Sequence, residues 1–127
     1  MRGWRRKRGQ DGEQIATEFL QHQGYRIEER NYRVRQGEID IIAWDGATLV
    51  FVEVKTKSNA GFGHPEEMVD ARKQRTLTQV AMIYVQQKQV EHTALRFDVI
   101  AVRLGTAAIP DVSHYPAAFS PASPYFY

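Results

Sequence analysis

The sequence predicts an α/β domain in layers, a mixed central sheet with helices over both faces. Three observations predict it. Helical and strand periodicities follow one another in the order helix, strands, helix, strand. The central hairpin, GEIDIIAWDGATLVFVEVKTK from Gly37 to Lys57, is apolar on both faces, so both need cover. The 127 residues suit one domain and can bury a real core.

Each element has its own signal. Residues 1–10 read as a flexible basic arm holding Arg2, Arg5, Arg6, Lys7 and Arg8. Residues 11–23 read as a helix, with Ile15, Ala16, Phe19 and Leu20 on one face and Gly24 suited to end it. Residues 25–36 alternate enough for a strand, with an irregular middle at Glu28 to Asn31. Residues 38–44 and 47–55 form a hairpin, and Asp45-Gly46 is a strong two-residue turn signal. Ser58 to Pro65 is a loop. Residues 66–88 read as helical with a break near Asp70, a capping residue, and a buried stripe of Leu77, Val80, Ala81 and Tyr84. Residues 95–104 form a further strand, and a short strand follows around Val112 to Tyr115. The domain spans 11–119, and residues 120–127 form a Pro/aromatic tail, mobile unless its aromatics dock.

Composition narrows the class. The chain is 43% hydrophobic and 25% charged, ordinary for a soluble globular protein. With no cysteine, a disulfide framework and a thiolate metal site are excluded. No apolar run approaches the ~18 residues of a membrane span. The basic start lacks a following apolar segment, so it does not read as a secretory signal. The expectation is a cytoplasmic protein with no membrane partner. Net charge is only +2, but the basic residues cluster in the arm and at Arg26, Arg30, Arg33 and Arg35, where phosphates would be met.

The hairpin poses the functional question, because charge is expensive among buried apolar residues. With a turn at Asp45-Gly46, Trp44 pairs with Ala47, Asp40 with Phe51 and Glu38 with Glu53. Glu38, Asp40, Glu53 and Lys55 then share one face, and Ile39, Ile41, Val52 and Val54 share the other. Asp40 and Glu53 become diagonal neighbours, roughly 7–8 Å apart at the backbone. Two carboxylates converging there repel, and one must hold a proton unless a hard divalent cation such as Mg²⁺ removes the conflict. Lys55 would orient the attacking water or offset charge on a phosphoryl transition state. Glu13 borders the buried face of the first helix and would be aimed at Asp40. The residues alone also admit a plainer reading, with Glu38 exposed and Glu53–Lys55 an edge-strand pair that keeps the sheet soluble.

Other groups carry less. His22, His64, His92 and His114 lack ligand spacing. Gly61-Phe62-Gly63-His64 is too short for a phosphate loop and reads as a loop beside the hairpin's end. Lys73 borders the helical stripe and faces the acidic site, while Arg72 and Arg75 share another side. Arg33, Arg35, Lys57, Arg72 and Lys73 are the candidate nucleic-acid contacts. Tyr32 reads as core, and Arg96 with Asp98 as a structural pair.

An acid in helix one, then an Asp, then Glu-x-Lys across a hairpin, then a helix, resembles the PD-(D/E)xK nuclease superfamily of restriction endonucleases and Holliday-junction resolvases. The closer likeness is to the small bacterial YraN-like family. It rests on Gly9-x-x-Gly12-Glu13, Gly24-Tyr25-x-Ile27, Arg30-Asn31-Tyr32, Gly37-Glu38-Ile39-Asp40, Phe51-Val52-Glu53-Val54-Lys55-Thr56, Lys73-Gln74 and Arg96-Phe97-Asp98-Val99. The Asp motif lacks the preceding proline of the superfamily's name, as in many members. The resemblance implies a restriction-endonuclease-like fold and a Mg²⁺ (or Mn²⁺) site at Asp40, Glu53 and Lys55, with Glu13 as the helix-one acid. It further implies an endonuclease acting on DNA, branched or damaged DNA included, and raises a homodimer such as the resolvases form. Two alternatives stand beside it: a nucleic-acid-binding module without catalysis, and a protein-interaction domain on a nuclease fold.

Overall fold

The computed structural model describes residues 2–57, 68–105 and 110–121, with side chains from Asp11 onward. Helix α1 spans Arg2–His22 and strands β1 Arg26–Val34, β2 Gly37–Asp45 and β3 Thr48–Lys57 follow. Helix α2 spans Ala71–Lys88, then come β4 Ala94–Arg103 and β5 Asp111–Phe119. The strands lie in one sheet in the order β1-β2-β3-β4-β5. Only β3 and β4 run parallel, with α2 as their crossover, so the sheet is mixed.

The two helices divide the core. On one face Ala16 and Leu20 of α1 pack on Ile41, Ala43, Val50, Val52, Ile100 and Val102. On the other, Leu77, Val80, Ala81 and Tyr84 of α2 pack on Ile39, Ile42, Leu49, Phe51 and Phe97. Both helical stripes and the two-faced hairpin match the sequence expectation, as does the layered nuclease-like architecture. Among the described residues no helix is long and apolar enough to cross a membrane.

Helix α1 begins at Arg2, ahead of the expected start at residue 11, so helical backbone takes in the stretch read as an arm. Gly24, at φ +92°, follows its end. Strand β1 is irregular where expected, with a register shift between Ile27 and Glu29 and Asn31 at φ +53°. Asp70 caps α2 as expected, accepting from the Lys73 N–H at 2.8 Å. Strand β5 is longer than the short strand expected. The loop expected at 58–65, the first two residues of the helix expected from 66, and residues 122–127 of the tail lie outside the described residues.

The hairpin register differs from expectation. Asp45 pairs with Thr48 and Trp44 with Leu49, not Ala47, so the turn residues are Gly46 and Ala47. The reason is turn chemistry: Gly46 sits at φ +59°, and a II′ turn places glycine first of its two central residues. Asp45 therefore stays in the strand. Pairing slips by two residues, an even number, and Glu53 and Lys55 keep the face expected of them.

Candidate active site

Strands β2 and β3 pair from the turn as far as Ile41–Val52. Beyond that point a side chain replaces the backbone ladder: the Val54 N–H donates to Asp40 Oδ2 at 2.8 Å. The strands fork there, with Asp40 in the cleft. Side-chain alternation breaks at the same place. Ile39 lies in the α2-side core with Ile42, whereas Ile41 lies in the α1-side core. Ile39 and Ile41 were expected on one face. The irregular backbone of β1, with left-handed Asn31 between the partners of Ile41 and Ile39, accounts for the break.

Continuing the slipped register sets Asp40 beside Glu53 rather than diagonal to it. The two carboxyl groups lie close enough to affect each other, and their repulsion favours a proton on one of them. Burial, and then the Asp40 charge, push Glu53 up to about 7, against the opposing charges of Lys73 and Lys55. Burial likewise raises Asp40, although the Val54 N–H favours its ionised form. Lys55 Nζ and Lys73 Nζ each lie 3.8 Å from Glu53 Oε2. Glu53 is only 9% exposed at its side chain, so its ionised form is poorly solvated.

Glu13 approaches from α1 because Gly12 lets the helix touch β3. A Cβ at Gly12 would stand 2.0 Å from Thr56 Oγ1. Arg30 Nη1 donates to Gln14 Oε1 at 2.8 Å and ties this turn to β1. The Glu13 carboxyl is raised by burial, then by Asp40 and Glu38. Asp40 thus feels Glu13 from one helix and Lys73 from the other. Among the described residues, no three His, Cys, Asp or Glu side chains are gathered tightly enough to hold a metal ion. The close pair is Asp40–Glu53, and Glu13 stands off from it. Glu38 is held elsewhere: its Oε1 accepts from Arg33 Nη2 at 2.6 Å and Nε at 3.0 Å.

The donor set suits a hard divalent cation. Mg²⁺ commonly takes one or two carboxylates and completes its shell with water and phosphate oxygens. A cation between Asp40 and Glu53 would offset both carboxylates and end their conflict.

The candidate nucleic-acid contacts fall in two groups. Lys73 belongs to the acidic site. Arg33, Arg35, Lys57 and Arg72 are exposed, with Arg33 engaged by Glu38. Tyr32 is core, edge-on to Tyr84, and its hydroxyl donates to Gln87.

Sequence reasoning found Arg96–Asp98 but missed what gathers on them. Asp98 is fully buried and accepts from Arg96 Nε at 2.9 Å, Arg96 Nη2 at 3.0 Å and the Ala117 N–H at 3.0 Å. His114 Nε2 lies 2.8 Å from its Oδ2. Arg96 also reaches Asp45 at 2.9 Å and the Tyr25 hydroxyl at 2.6 Å. Burial would raise the Asp98 carboxyl, but His114, Arg96 and Ala117 outweigh it and hold its pKa below the ordinary value. The available signal was an aspartate beside Val99-Ile100-Ala101-Val102, which calls for several donors.

The model of the uncharacterised protein family UPF0102 matches residues 12–102 of this chain. A UPF0102 protein of Geotalea daltonii is 48% identical over 111 residues, 87% of each chain. One of Symbiobacterium thermophilum is 51% identical over 100 residues, 79% of this chain and 85% of its own. One of Persephonella marina is 45% identical over 95 residues, 75% of this chain and 82% of its own.

Proposed function

The chain belongs to the uncharacterised family UPF0102, the YraN family, and from the geometry of its β2–β3 fork we propose that it is a metal-dependent nuclease hydrolysing phosphodiester bonds in DNA. One observation carries this reading. Asp40 and the buried Glu53 converge in one cleft, and two lysine ammoniums stand 3.8 Å from Glu53. Perturbed carboxyls next to cations in a cleft mark a site whose groups are spent on chemistry rather than on stability.

Asp40 and Glu53 would hold Mg²⁺ or Mn²⁺, and Glu13 is the further carboxyl that would add to the negative charge there. When bound, the cation supplies Lewis-acid polarisation of a phosphoryl oxygen and makes water a better nucleophile near neutral pH. The chain's own groups do the rest. Lys55, beside Glu53, offsets the negative charge that grows on the phosphoryl group. Arg35, Lys57 and Arg72 meet flanking phosphates and fix the strand's register.

The experiment is cleavage of labelled duplex, nicked and four-way-junction DNA in Mg²⁺ and in Mn²⁺. Asp40→Ala and Glu53→Ala should abolish cleavage and keep a cooperative unfolding transition. Equal activity in those variants would remove the proposal. One observation favours binding without catalysis: two lysine ammoniums already stand at Glu53 and offset part of the acids' charge. That reading requires salt-dependent DNA affinity and no cleavage in either metal.

A further inference from the structure

Strand alternation brings Lys55 to the site in Glu-x-Lys, helical spacing turns Lys73 towards it, and the fold sets both ammoniums at Glu53. Lys73 sits in the first turn of α2, and three contacts fix that turn. The Asp70 carboxylate accepts from the Lys73 N–H at 2.8 Å. Gln74 Nε2 donates to the Val69 carbonyl at 2.8 Å. Gly37 lets α2 lie close on β2, since a Cβ there would stand 2.8 Å from Thr76 Cγ2. These contacts hold the start of α2 beside the fork.

One buried carboxylate does not require two ammoniums. Lys55 and Lys73 both reach Glu53 Oε2 at 3.8 Å, longer than a charge-assisted hydrogen bond. Their side chains keep 35% and 42% exposure, so both heads remain open to an incoming anion. Each ammonium has three donors. The Lys73 charge favours ionisation of both Asp40 and Glu53, and at Glu53 it outweighs Lys55. Arg72, exposed next to it on α2, extends positive charge away from the site.

We propose that Lys73 is a second lysine of the site, which binds a phosphate-ester oxygen of a nucleic-acid strand beside the Asp40–Glu53 pair, aimed there by the Asp70 cap. This rests on the reading of that pair as a phosphodiester site. Lys73 has two opposed effects. It attracts the strand, and it repels a cation from the carboxyls. Removing its charge therefore weakens DNA binding and strengthens metal binding. A merely structural counter-ion to Glu53 would leave DNA affinity unmoved.

The test compares wild type with Lys73→Met and Lys73→Arg as full chains. Fluorescence anisotropy of labelled duplex and junction DNA is read in chelator, so that no strand is cut. Lys73→Met should lose about tenfold in affinity, the size of one charge-assisted contact. Its slope of log affinity against log salt should flatten by about 0.9. Lys73→Arg should restore both. Mn²⁺ titrated without DNA, followed by thermal melting, should show a tighter midpoint in Lys73→Met. Lys73→Gln replaces Met if Met does not fold. Unchanged affinity and slope in the neutral variant overturn the proposal, as does absence of DNA binding by the wild type. Cleavage with Lys73-independent binding sinks Lys73 and leaves the nuclease reading intact. Lys73-dependent binding with no cleavage in Mg²⁺ or Mn²⁺ does the reverse.

Discussion

Substituting Glu53→Gln should stabilise the metal-free protein in mild alkali. Glu53 is raised from 4.5 to about 7 in the folded chain. Between those values the folded state holds a proton that the unfolded state has released. Stability then falls as pH rises, since it rises with pH only where the unfolded state binds more protons. The contribution is complete below pH 4.5 and is lost as pH climbs through 7. Each pKa unit is 1.36 kcal/mol, so the loss amounts to about 3 kcal/mol by pH 8. Glutamine keeps the shape, but it cannot ionise. Urea unfolding in chelator at pH 5, 6, 7 and 8 reads the difference between wild type and variant. It should be small at pH 5 and grow to about 3 kcal/mol in favour of glutamine at pH 8. Mn²⁺ at ~100 times its dissociation constant should return about 2.7 kcal/mol to the wild type at pH 8 and little to the variant. Parallel pH profiles for the two proteins would refute the raised Glu53 pKa.

Two further outcomes follow from the same structure. Asp98→Asn leaves Arg96, partly exposed and still paired with Asp45, without its second carboxylate and should cost about 1–3 kcal/mol by denaturant unfolding. Because the Asp98 carboxyl is held below its ordinary value, its contribution is present above pH 3.8 and is lost as pH falls through the lower folded value. An acid-unfolding curve unchanged by the substitution would count against that cluster as a clasp. Gly12→Ala forces a Cβ to within 2.0 Å of Thr56 Oγ1 and should cost about 1–3 kcal/mol as the helix shifts. Thr56→Ala in the same chain should recover part of it, and additive losses in that double-mutant cycle would show that the two do not touch.

The legible parts of the fold were those set by local chemistry. The spacing of Leu77, Val80, Ala81 and Tyr84 placed the inner face of α2, and Asp70 announced its start. Parity placed Glu53 and Lys55 together, and helical spacing brought Glu13 and Lys73 towards the acids from opposite sides. The illegible parts were set by competition. Asp-Gly and Gly-Ala are both good two-residue turns, and the slip between them decides whether Asp40 is diagonal to Glu53 or beside it. The break in alternation at Asp40 depends on Asn31 of the neighbouring strand, which no window along β2 contains. The length of β5 was hidden by Pro116, which an edge strand tolerates and a central strand does not.

The two buried acid clusters show why residue type alone could not separate structure from function. Asp98 and Glu53 are both buried among valines and isoleucines in one sheet, with Asp40 half-buried beside Glu53, and each incurs a desolvation penalty. They differ in donors. Asp98 is a single acid ringed by a guanidinium, an imidazole and a backbone N–H, and its pKa falls. The fork offers two acids one backbone N–H and two lysines standing at 3.8 Å, and both pKa values rise. The first balance is closed and ties β4 to β5 and to the hairpin turn. The second is open, and a positive charge would relieve it, whether a proton or the divalent cation proposed for the site. An apolar residue at position 40 would remove the carboxyl conflict but leave the Val54 N–H without its acceptor, so Asp40 serves the backbone of the fork as well as its open charge balance.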